Sequence, residues 1–244
     1  RVTGPARAVM VHVIGGGANA LGGISNAARA NVPIFMTAGR TPLTEGALPG
    51  ARNRPIHWAQ ESFDQGTPFR EWVKWDYELR NGQQVETVVD RALEMALGTP
   101  QGPVYLTLPR EVLALKMDSV TIHANRKATA EPLQPSTASV KRTAEILRNA
   151  KNPLIITGRL GSDPTAVSAL VAFAEAWVAP VATPASPFVS MPNTHDFHLG
   201  VSSTPYIKDP DVVVVVESDE PWYPLQAKPP DNGMVSPVVR AADF

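Results

Sequence analysis

Residues 8–39, AVMVHVIGGGANALGGISNAARANVPIFMTAG, leave little choice of fold. Ala8 to Ile14 is apolar enough for a strand covered on both faces, with His12 its one strongly polar interruption. Gly15, Gly16 and Gly17 follow, suited to a tight turn and to close approach by a ligand. Small residues from Asn19 to Ala28 predict a helix lying close against a sheet, and Val32 to Ala38 is a second apolar run. A strand, a crossover helix and a strand of this length form a parallel βαβ unit. The helix start then sets free amide groups beside the turn. Ligands of open α/β sheets sit at such strand ends, so functional residues are expected near positions 15 to 20.

The rest of the chain repeats this theme. Residues 40–54 read as a loop, and residues 56–79 mix aromatic groups, acids and amides, with a short strand expected over Lys74–Leu79. Gln83–Leu97 has helical spacing of Val85, Val88, Val89, Ala92, Leu93 and Ala96, and Val104–Leu108 reads as a buried strand. Polar, proline-containing residues 116–138 read as a linker. Beyond it come a helix at Ser139–Asn149, a strand at Pro153–Thr157, a glycine turn at Gly158–Gly161, a helix at Thr165–Trp177 and a strand at Ala179–Thr183. The five valines of Val212–Val216 complete the pattern as a core strand, with proline-rich residues 221–232 expected to cover the edge. The fold class is therefore α/β, with two parallel-sheet, three-layer domains over residues 1–115 and 139–244. The chain has no initial methionine, starts just before one strand and ends soon after another. Both domains accordingly read as incomplete pieces of something longer, with a half-exposed sheet.

Composition narrows the partners. A net charge of −1 with both signs dispersed favours neither nucleic acid nor an anionic membrane. The absence of cysteine excludes disulfides and thiolate metal sites. No apolar run approaches the ~20 residues needed to span a bilayer and no signal peptide is visible, so a cytoplasmic location is expected.

Several motifs admit more than one reading. Gly15-x-Gly17-x-x-Ala20 fits a dinucleotide fingerprint, but the next strand ends at Gly39-Arg40 rather than at an acid. Arg40 would suit the phosphate of NADP, which leaves an NADP-dependent dehydrogenase as a rival reading. His57, Trp58, Gln60 and Glu61 are either packing and surface residues or groups that orient a substrate. His195 and His198 lack a third ligand, so no metal is assigned to them. No G-x-S-x-G nucleophile motif is present.

Taken together, TGPARAVMVHVIGGGANALGGISNAARANVPIFMTAGRTP resembles the pyrimidine-binding domain of thiamine-diphosphate enzymes, in particular acetolactate synthase large subunits. That family carries a G-P-G-x-x-N turn between a strand and a small-residue helix. WAQESFDQ resembles its A-F-Q-E segment, GPVYLTLPREV its domain-closing strand, and residues 139–220 its central domain. The resemblance places Gly15, Gly16 and Asn19 against the cofactor's aminopyrimidine and Gln60 near the active site. It implies thiamine diphosphate with Mg²⁺, a small-molecule 2-oxo acid as substrate, decarboxylation or carboligation as the chemistry, and a homo-oligomer. FAD or ADP in the central domain is a further implied cofactor, as is a non-catalytic module of the same ancestry that holds one. The family's ylid-activating glutamate and its pyrophosphate and Mg²⁺ ligands match no residue here. The chain is thus expected to be inactive alone.

Overall fold

The computed structural model describes residues 6–123, 135–231 and 233–239. Two compact units divide them, with residues up to 123 in the first and residues from 135 in the second. In the first, β1 (Arg7–Val11), α1 (Val13–Arg29), β2 (Ile34–Arg40), α2 (Ile56–Ala59), β3 (Asp76–Glu78), α3 (Val85–Leu97), β4 (Val104–Pro109) and α4 (Arg110–Ala114) follow one another. All four strands are parallel and lie in the order β1-β2-β4-β3.

Alternation along the two central strands sorts their side chains between two helical layers. Met36, Ala38 and Tyr105 pack with Ile24 of α1 and with Phe69. Val104 and Leu106, one position either side of Tyr105, pack instead with Ala92, Ala96 and Val88 of α3. Each large side chain buried in this way contributes about 1.5–3 kcal/mol.

Two expectations are corrected here. The first strand is not covered on both faces: Arg7 to Met10 are exposed, because β1 lies at the sheet's edge. The glycine triplet is not the turn either. The helix already begins at Val13, so Gly15, Gly16 and Gly17 lie within its first two turns. Gly16 and Gly17 let the helix approach. A Cβ on Gly16 would stand 3.0 Å from Val11 Cβ, and one on Gly17 would stand 3.0 Å from Phe69 Cζ.

The second unit contains α5 (Thr137–Asn149), β5 (Pro153–Thr157), α6 (Pro164–Trp177), β6 (Val181–Ala182), β7 (Val212–Val216) and β8 (Met234–Val239). Its parallel sheet runs β6-β5-β7-β8. Ser136 caps α5 by accepting the Ser139 N–H at 3.1 Å, and Asp163 caps α6 by accepting the Thr165 N–H at 2.9 Å. Ile155, Val212 and Val214 face the helices, packing with Leu147, Leu170 and Ala174. Leu154, Ile156, Val213 and Val215 face the other way, onto Ile207, Ala227 and Trp222. That third layer is irregular chain rather than helix, a difference the valine run could not reveal. The strand expected over Ala179–Thr183 pairs only at Val181–Ala182, and β8 follows the proline-rich segment.

Gly17→Ala is expected to destabilise the chain by about 1–3 kcal/mol, because Phe69 is fully buried and stacked on Tyr105 at 4.2 Å. Gly22→Ala, where an added Cβ meets nothing within 4 Å, is expected to stabilise it by about 0.5–1 kcal/mol. Urea denaturation of the two variants beside the parent checks both signs.

Candidate functional site

Parallel strands bring their carboxyl ends to one edge. In the first unit that edge carries His12 after β1, Arg40 at the end of β2, Glu78 at the end of β3 and Pro109 at the end of β4. The turn from β1 into α1 is made by His12 and Val13, and Val13 has φ 38. A β-branched residue in the left-handed region is strained, which is common where a backbone is held for function. The His12 carbonyl accepts the Gly16 N–H at 2.7 Å, while its exposed side chain makes no capping hydrogen bond. His12, Gly15 and Asn19 follow at helical spacing and are all exposed, so they share one face of the helix start. Gly15 has open space around it.

Gln60 lies elsewhere, as the half-buried residue that ends α2. The amide that the fold does enclose is Gln65, which is 1% exposed. Its Nε2 donates to the Gly39 carbonyl and to the Tyr105 hydroxyl, both at 2.9 Å, while its Oε1 has no partner. This ties the 60–70 segment to the end of β2. One hint lies in the glycine that follows: a Cβ on Gly66 would collide with the Asp76 carboxylate.

An ionic lattice fixes the same edge. Arg40 pairs with Glu78 and, at 3.4 Å, with Glu61, and it donates to the Ser62 carbonyl at 3.2 Å. Arg52 pairs with Glu61 and donates to the Pro42 carbonyl at 2.8 Å. Glu61 is therefore a brace between two arginines. Arg40, engaged by two carboxylates, is poorly placed to take a nucleotide phosphate, which counts against the NADP reading. Beside it opens a cleft of about 460 Å³, lined by Arg40, Phe63, Asp64, Tyr77, Glu78 and Thr107 among others. Asn19, Gln60 and the glycine triplet do not line it.

His57 lies among arginines. Burial, then the charges of Arg110, Arg54 and Arg52, push its imidazole below the ordinary value, so the ring is neutral near pH 7. Its Nδ1 accepts the Asn53 N–H at 3.2 Å, and Arg110 Nη1 lies 3.3 Å from Nε2. His195 and His198 have separate partners, Glu175 at 3.2 Å and Thr183 at 3.0 Å. Among the described residues no group of three His, Cys, Asp or Glu side chains is gathered to hold a metal. No helix among them is long and apolar enough to cross a membrane.

Comparison with known proteins now bears on this arrangement. Residues 140–222 match the family model for the central domain of thiamine pyrophosphate enzymes. This stretch is therefore similar to the central domain of thiamine-diphosphate-dependent enzymes. Benzoylformate decarboxylase of Pseudomonas aeruginosa is 26% identical over 180 residues, covering 72% of this chain and 33% of that protein. Acetolactate synthase large subunit of Lactococcus lactis is 25% identical over 196 residues, covering 77% and 31%. The crystal structure of benzoylformate decarboxylase from Polynucleobacter necessarius superposes with a TM-score of 0.78 at 27% identity, over 95% of this chain and 43% of that one. The family thus includes decarboxylases and synthases alike, and acetolactate synthase is not singled out within it. The chain spans about a third of the length of the curated relatives it matches.

Glu111 offers a direct check on the loop that follows Arg40. Its Oε1 accepts both the N–H and the hydroxyl of Thr44 at 2.8 Å. Burial works to raise its carboxyl, but the hydrogen bonds from Thr44 outweigh it and hold the group below the ordinary value. A carboxyl lowered in the folded state stabilises above its unfolded pKa and loses that contribution as pH falls through its folded value. Glu111→Ala is expected to cost about 1–3 kcal/mol at neutral pH, with the gap from the parent narrowing in acid. Urea titrations at neutral and acidic pH measure it.

Proposed function

We propose that the first unit supplies one wall of a thiamine-diphosphate pocket in an enzyme that decarboxylates a small 2-oxo acid, with aldehyde release or carboligation as the second step. The observation that carries this reading is the joint one. A central-domain match over residues 140–222 accompanies alignments that also take in the first unit, and that unit presents His12, Gly15 and Asn19 on one exposed face at its strand ends. These groups suit a flat, uncharged ring. The open backbone at Gly15 permits close approach, and the Asn19 amide both donates and accepts hydrogen bonds. The pyrophosphate, its Mg²⁺ and the acid that serves the aminopyrimidine would then be held by further polypeptide, in a homo-oligomer.

Thiamine diphosphate supplies the electron sink for breaking the carbon–carbon bond next to a carbonyl. The part left to this chain is orientation and proton movement. Asn19 would fix the ring, and the His12 imidazole, at the end of β1 with its side chain free of a cap bond, would give or take a proton at the substrate. Gln60, at the end of α2, is given no step of its own.

The test uses the intact enzyme of which this chain is part, supplied with thiamine diphosphate, Mg²⁺ and benzoylformate or pyruvate. His12→Ala is expected to lower kcat by about 10²–10⁴-fold, and Asn19→Ala to weaken cofactor binding, each with an unchanged melting temperature since both positions are exposed. Unaltered kinetics and cofactor affinity in both variants would remove the site from this helix.

A further inference from the structure

We infer that the glycine turn of the second unit, Gly158 to Ser162, is closed by the chain's own groups, so that this turn does not seat the diphosphate of FAD or ADP. A pyrophosphate lodged between a strand end and a helix start needs free N–H groups and a positive local field. At this turn most of those N–H groups are taken and the nearby cation is neutralised.

The N–H groups come first. Those of Gly158 and Arg159 both donate to the Glu217 carbonyl, at 3.2 and 2.9 Å. The Gly161 N–H donates to Ser190 Oγ at 3.0 Å, and the Ser162 N–H to the Arg159 carbonyl at 2.8 Å. On the acceptor side, the Gly158 carbonyl takes the Ser186 hydroxyl and, at 3.5 Å, that of Ser190. Glu217 has φ 46, a left-handed conformation at the end of β7. The start of α6 is occupied as well, because the Asp163 carboxylate accepts both the N–H and the hydroxyl of Thr165.

Space and charge agree. A Cβ on Gly161 would collide with the Val189 carbonyl and stand 2.9 Å from the Ser190 nitrogen, so the 186–190 backbone rests directly on the turn. In a nucleotide site that room belongs to the ligand. Arg159, the cation at the turn, is paired with Asp219 at 2.5 Å. Burial pushes the Glu217 carboxyl up against the pull of Arg159, so this group adds no positive charge to the turn. An incoming diphosphate would meet acids and engaged amides, and would have to break several of these bonds to enter.

Amide hydrogen exchange on the chain, followed by NMR, reads the turn without needing activity. The Arg159 and Gly161 amides should be protected in ligand-free protein, and Ser190→Ala should speed exchange at Gly161 by about tenfold while leaving Arg159 protected. Millimolar ADP or FAD should not move the resonances of Gly158–Ser162. Rapid exchange at both amides in the parent, a Gly161 amide indifferent to Ser190→Ala, or a saturable shift of the turn with ADP or FAD would each overturn the inference.

Discussion

Contact between α1 and the sheet beneath it sets everything at the functional edge of the first unit. Two glycines on that helix leave the room that Val11, Phe69 and Tyr105 occupy. A side chain at either place would push the helix outward, and with it the exposed face that carries His12, Gly15 and Asn19. Tyr105 is the shared element, stacked on Phe69 on one side and hydrogen-bonded to Gln65 on the other. Packing and polar anchoring therefore converge on one buried phenol. Burial raises that hydroxyl's pKa, which suits a neutral structural donor and acceptor.

Around this core the edge is fixed by charges that neutralise one another. Arg40, Arg52, Glu61 and Glu78 lie on four separated stretches of chain and join the loop after β2 to the end of β3. The carboxylate of Glu111 does the same for Thr44 further along that loop. Such networks add modest stability where they meet solvent, but they hold loops to one arrangement. An edge built from loops gains more from that order than from strength.

Much of this was legible in the sequence, and the reasons for the rest are physical. Hydrophobic periodicity gave the parallel units, the helix near residues 85–97 and the valine strand, because alternation and helical spacing are local properties. It could not show that β1 is an edge strand, since an apolar run looks the same whether or not a neighbour covers it. The glycine triplet was read as a turn when it marks a close approach within a helix, and both uses demand the same missing Cβ. Gln60 stood out by resemblance, whereas Gln65 becomes visible only when Gly39 and Tyr105, 26 and 40 residues away in sequence, are brought beside it. For Glu61 the sequence left two readings, a surface residue or a group that orients a substrate, and its two arginine partners lie 9 and 21 residues away. The closure of the Gly158–Gly161 turn depends on Glu217 and Ser190, which no local motif connects to it.

Strand order has a consequence for how the polypeptide is made. In the first sheet the last strand to be synthesised, β4, is inserted between β2 and β3, and β3 has no other neighbour in that sheet. While the nascent chain emerges from the ribosome, β3 and the aromatic residues around it have nothing to hydrogen-bond with until residue 109 is clear of the exit tunnel. Long-range parallel pairing is slow to form and leaves sticky intermediates in the meantime. The aromatic residues around β3 therefore stay uncovered until the final strand of this sheet arrives.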